Sequence, residues 1–158
     1  MNKILTISLL IGIGFTTHLA ATPLHWNLNS STDDCNSWGV GNSCKFASNT
    51  GEEIKVNAYS TDNNNGTGAF AKATLTVWSG GIGVKNPFDT NESGSPNHAT
   101  DNSGKDDLVV FQHYDPSYLF TGFQIGWKSS DADITAWIGG NSLGANYDFT
   151  GTHFSDLA

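Results

Sequence analysis

Past residue 21 the chain sets short runs of alternating apolar and polar residues between clusters of Gly, Asn, Asp and Ser, and no segment holds apolar residues at helical spacing for the length of a helix. This pattern predicts an all-β protein. From Glu53 to Tyr59, Ile54, Val56 and Ala58 alternate with Glu53, Lys55 and Asn57, as in a strand with one buried face. The Asn- and Gly-rich stretch Thr61 to Gly68 then predicts a turn or loop. A second strand is expected over Ala69 to Trp78, with Ala69, Ala71, Ala73, Leu75 and Val77 on its apolar face and Lys72, Thr74 and Thr76 outward.

Residues 79–105 carry little strand pattern beyond Ile82 to Val84 and are interrupted by Pro87 and Pro96, so they read as one long loop. Loops of that length in compact domains are commonly functional. Three apolar runs follow closely: Asp107 to Tyr114, Tyr118 to Trp127 and Ala132 to Gly139. Asp115-Pro116-Ser117 and Lys128-Ser129-Ser130-Asp131 are reversals of hairpin length. Consecutive strands so joined predict an antiparallel meander over 107–139, with Val109, Phe111, Phe123, Ile125 and Ile134 in the core. A chain with this many short strands buries its apolar faces by stacking two sheets, so the expected architecture is an antiparallel β-sandwich, jelly-roll-like in plan.

The first residues change the picture of where this domain works. Lys3 precedes an uncharged apolar run from Ile4 to Phe15, and small residues follow at Ala20 and Ala21. That is the form of a secretory signal peptide, too short to span a membrane, with cleavage expected near Ala21. One domain, residues 22–158, is expected to remain, without a transmembrane segment. Cleavage removes one lysine and no acid, taking the net charge one unit below the −8 of the full chain, which contains no Arg. A nucleic-acid partner is excluded on this balance, since phosphate binding needs a basic face. The two cysteines, Cys35 and Cys44, flank a segment with Gly39 and Gly41, and in an oxidising compartment they are expected to form one disulfide. A lone pair at this spacing matches no zinc pattern.

Chemistry-bearing residues concentrate in Asn97 to Asp107. Asp101, Asn102, Asp106 and Asp107 offer the hard oxygen ligands that Ca²⁺ takes, making Ca²⁺ the candidate cofactor. The same residue types also hold turns by bonding their own backbone, with no ion needed, and the segment lacks EF-hand order. Asp131 and Asp133, two residues apart on one strand face, have the separation of a glycosidase acid and base, which leaves a polysaccharide-acting enzyme as a minor alternative. His98, His113 and His153 belong to no hydrolase or metal motif and read as solvated or core-edge residues. Of the five tryptophans, Trp127 reads as core beside Leu119, Phe123 and Ile125, while Trp137 shares a face with Asp133 and Thr135 and is the candidate ligand-binding aromatic.

His98-Ala99-x-Asp101-Asn102, then Asp106-Asp107 with its apolar strand, Ile125-Gly126-Trp127 and Asp131-Ala132-Asp133-Ile134 together resemble the exosortase-dependent surface proteins of the XDP type, which belong to the PEP-CTERM sorting system of Gram-negative bacteria. The resemblance spans most of residues 22–158. It implies a cell-surface or extracellular protein associated with exopolysaccharide, and it brings no catalytic residues. Family members more often read Asp-Ser-Asp-Ile in the last motif and end in a Pro-Glu-Pro signal, an apolar helix and a basic tail. This chain ends at Phe154-Ser155-Asp156-Leu157-Ala158 without them, as expected of a truncated form or of a freely secreted relative. The expected function is that of a non-enzymatic exported surface or matrix protein, structural or adhesive, with extracellular polysaccharide or other surface proteins as partners. A calcium-assisted carbohydrate-binding module is the alternative.

Overall fold

A computed structural model describes residues 23–29, 42–63, 68–89, 100, 105–112, 121–126 and 148–153. Among them the structure is all-β, with antiparallel pairing throughout and no helix. Six strands follow in chain order: β1 (Ser43–Ala47), β2 (Glu53–Thr61), β3 (Phe70–Lys72), β4 (Thr74–Trp78), β5 (Gly81–Lys85) and β6 (Asp107–Gln112).

β2 is the organising strand. It pairs with β1 from Ser43↔Asn57 to Ala47↔Glu53, with β3 from Tyr59↔Lys72 to Thr61↔Phe70, and with β6 from Lys55↔Gln112 to Ser60↔Asp107. Because β6 overlaps the register of both β1 and β3, it occupies one edge of β2, and β1 and β3 follow one another along the other edge. The β1–β2 reversal is tied by side chains. Ser48 Oγ accepts from the backbone N–H of Thr50 and of Glu52, at 3.2 and 2.9 Å, and Gly51 takes a φ of 93° that a Cβ would oppose. Trp26 adds a bridge at Ser48 and donates its indole N–H to the Glu52 carbonyl.

The single strand expected over Ala69 to Trp78 is divided in two. Ala73 N–H still bonds the Ala58 carbonyl at 3.1 Å, but the Ala58 N–H is taken by the Asn42 carbonyl at 2.7 Å, so β1 already holds the next stretch of that edge. Beyond Ala73 the chain leaves the four-stranded sheet and pairs with β5 instead, in register from Thr74↔Lys85 to Trp78↔Gly81. The apolar face shifts with it. Phe70, not Ala71, is buried in β3, and Thr76, expected outside, is buried in β4. The stretch 79–105 is therefore not one loop. Its first part is a two-residue turn followed by β5, where Gly81 takes a φ of 130°.

Alternation along β2 places Ile54, Val56 and Ala58 on one face, which packs with Cys44 and Phe46 of β1 against Ala73 and against Leu75, Val77 and Val84 of the β4–β5 hairpin. Phe46, Val56, Leu75 and Val84 are fully enclosed. Each such side chain contributes about 1.5–3 kcal/mol of transfer free energy. Val109 and Phe111, expected in the core, pack against this cluster while keeping some exposure. A smaller cluster of Tyr59, Phe70 and Phe149, with Leu108 and Val110 against it, lies on the opposite face.

Of the expected meander over 107–139, β6 is paired with β2, while residues 113–120 and 127–139 lie outside the described residues. Residues 121–126 form no strand, and Phe123 and Ile125, expected in the core, are 49% and 44% exposed. Alternating side chains mark a buried face only where the backbone has a sheet to lie in, and here the neighbour of β6 comes from fifty residues earlier in the chain. Ile134 lies outside the described residues.

Candidate functional site

The face of the central sheet away from the β4–β5 hairpin changes character along its length. In register, one end sets Lys45 of β1 opposite Lys55, with Gln112 of β6 on the other side of Lys55. The other end carries Tyr59, Phe70 and Leu108 beneath Phe149. Between them is a depression of about 140 Å³ lined by Asn42, Lys55, Asn57, Tyr59, Lys72, Gln112 and Asp148. Strand periodicity explains the grouping: Lys55, Asn57 and Tyr59 are alternate residues of β2 and project to one side, and Lys72 and Gln112 are register partners of Tyr59 and Lys55.

The floor is polar yet enclosed. Asn57 and Gln112 are 3% and 9% exposed, and the Asn57 amide Nδ2 donates to Gln112 Oε1 at 3.0 Å. That bond satisfies groups whose burial unpaired would be costly. Tyr59 packs edge-on against Phe149, ring centroids 5.7 Å apart. The segment 148–153 is fixed to β3 by two backbone bonds, Gly151 N–H to the Phe70 carbonyl and Phe70 N–H to the Thr152 carbonyl. It thereby holds Asp148 at the rim, 3.4 Å from Lys72 Nζ.

Among the described residues two pKa values are displaced, each for its own cause. Asp148 is held down to about 2, first by the Thr150 hydroxyl and backbone N–H that both donate to its Oδ1, at 2.7 and 3.0 Å, and then by the ammonium of Lys72. Burial pushes the Tyr59 phenol up; a backbone hydrogen bond from Phe149 opposes the rise, and the neighbouring Asp148 carboxylate adds to it. At neutral pH the rim therefore presents a carboxylate and the floor a neutral phenol. Lys45 has a partner in Glu53 at 3.7 Å, both side chains about half exposed, whereas Lys55 has no ion pair among the described residues.

The residues singled out in the sequence lie elsewhere. Of the four candidate Ca²⁺ ligands, Asp101 and Asn102 are outside the described residues. Asp107 accepts from Ser60 Oγ at 2.7 Å, and the Asp106 backbone exchanges bonds with Thr61, its N–H donating to Thr61 Oγ1 and its carbonyl accepting from Thr61 N–H, both at 2.9 Å. Among the described residues no three His, Cys, Asp or Glu side chains come together as a metal set. Cys44 is buried in the core, while Cys35, Asp131, Asp133, Trp127, Trp137, His98 and His113 lie outside the described residues. His153 is exposed and bridges Ala69. None of the depression's residues was singled out, because the outward positions of the strand Glu53 to Tyr59 read as a solvent face. The available signal was Lys55-x-Asn57-x-Tyr59, three hydrogen-bonding side chains at strand spacing with a tyrosine on the supposedly wet side.

Comparison with known proteins found no family model, no curated protein and no solved structure that matches this chain. No helix among the described residues is long and apolar enough to cross a membrane.

Proposed function

We propose that this chain is an exported, non-enzymatic surface or matrix protein, a β-sandwich whose central sheet binds extracellular polysaccharide on the face opposite the β4–β5 hairpin. The carrying observation is the depression itself, an open recess whose enclosed floor is made of two amides and a phenol. Sugars offer many hydroxyls as paired donors and acceptors, and Asn, Gln and Tyr side chains supply both functions at once. Binding fits this site better than catalysis because both displaced pKa values move away from neutrality: an acid or base working near pH 7 needs the opposite. The resemblance to exosortase-dependent surface proteins and the signal-like start at Lys3 to Ala21 support the same location.

The test is retention of the protein, expressed from Thr22 onward, on a glycan array and on insoluble extracellular polysaccharide. Retention that falls at least tenfold in Tyr59→Phe/Gln112→Ala, with a folded β spectrum preserved, is the expected result. A folded wild-type protein that binds no glycan overturns the reading.

A further inference from the structure

The sheet register puts two ammonium groups side by side on the binding face. Lys45 and Lys55 are direct partners between β1 and β2, a juxtaposition of like charges that disfavours the pair. Glu53 answers Lys45 at 3.7 Å. At the far end, Asp148 answers Lys72 at 3.4 Å. Lys55, half-buried between Lys45 and Gln112 and lining the depression, is the remaining cation, with no ion pair among the described residues. In a chain of net charge −8 with only seven cationic side chains, three of them share this one face.

We propose that the depression recognises an acidic sugar, with Lys55 taking the carboxylate of a uronic acid and Asn42, Asn57, Tyr59 and Gln112 bonding the ring hydroxyls. The assignment rests on the polysaccharide reading above and narrows it. An incoming carboxylate gives Lys55 its counter-charge and relieves its repulsion with Lys45. The enclosed floor limits the water that competes for the ammonium, so the bond is a charge-assisted one in partly excluded solvent. Asp148 sets the polarity of the site: ionised and fixed beside Lys72, it repels a carboxylate from the Tyr59 end and leaves the Lys55 end as the anion's place.

The experiment measures binding of oligogalacturonate and oligomannuronate against their methyl esters, which keep the hydroxyls and remove the charge, and against a sulfated neutral glycan. The wild type is expected to bind at least one uronate about tenfold or more above its ester, with the preference shrinking as NaCl rises through the screening range. Lys55→Gln is expected to abolish the preference for uronate over its ester, and Lys85→Gln, outside the depression, is expected to change neither binding. Equal binding of acid and ester overturns the carboxylate assignment and leaves the polysaccharide reading standing. Preference for the sulfated glycan over both uronates, or unchanged uronate preference in Lys55→Gln, also overturns it. Loss of all glycan binding in folded wild type overturns both readings together.

Discussion

Phe46 and Phe123 offer a matched pair of perturbations, since the same ring is deleted in two surroundings that the sequence alone does not distinguish. Phe46 is 0% exposed, enclosed between β1, β2 and the β4–β5 hairpin, whereas Phe123 is 49% exposed on a segment that forms no strand. Truncating a fully packed Phe removes its transfer free energy and leaves a cavity, about 3–5 kcal/mol together. For Phe123 about half of the transfer term is already forfeited to water and no sealed cavity forms, so Phe123→Ala should cost no more than about 1.5 kcal/mol. At roughly 3–5 °C per kcal/mol for a domain of this size, Phe46→Ala should lower Tm by about 10–20 °C and Phe123→Ala by a few degrees. Urea unfolding followed by tryptophan fluorescence gives both values on one scale, provided the slope with denaturant is unchanged. If Phe123→Ala costs as much as Phe46→Ala, the 121–126 segment is packed as a core strand, and the sequence-based meander is right where the described structure departs from it.

Three further outcomes are expected. Because the folded-state pKa of Asp148 is depressed to about 2, its stabilising contribution is present above the unfolded value and lost as pH falls from about 4 toward 2; thermal melts should fall less steeply over that window in Asp148→Asn than in wild type, by a small margin for so exposed a carboxylate. Intact-mass measurement of secreted protein should show an N-terminus at or next to Thr22 and a gain of two hydrogens on reduction, as a Cys35–Cys44 bridge requires; two free thiols would refute the bridge. Millimolar Ca²⁺ should raise Tm above NaCl of matched ionic strength if Asp101, Asn102, Asp106 and Asp107 form an ion site, and equally with NaCl if they are turn formers; the Ser60–Asp107 bond favours the second result.

Local periodicity was legible where one strand face meets one core. Ile54, Val56 and Ala58 behave as their alternation predicts, and so do Ala73, Leu75 and Val77. What periodicity does not carry is which strand lies beside which. The break at Ala73 follows from Asn42 occupying the Ala58 N–H, a competition between segments thirty residues apart that leaves no mark in either. The same applies to β6, whose apolar run is as strong as that of the segment after it, although among the described residues only β6 finds this edge on β2. The candidate site escaped for a related reason: Asn57 and Tyr59 read as exposed until β6 and the 148–153 segment are known to flank and cover them. A polar side chain on a supposed solvent face becomes informative only when the neighbours that bury it are placed.

The central position of β2 also sets an order of events during folding. β1 and β2 are joined by a short reversal and can zip as the chain emerges, and β3 follows within a few residues of the turn after β2. β6 cannot, since Ser60 waits for Asp107, 47 residues later. Closing so long a loop is slow compared with hairpin formation, so the last edge of β2 is sealed in a late, non-local step. Until then β2 exposes a row of unpaired N–H and C=O groups along Lys55 to Ser60, the part of the molecule most able to pair with another chain. A nascent chain halted before residue 107 therefore carries an open template for aggregation, which the arrival of six residues closes.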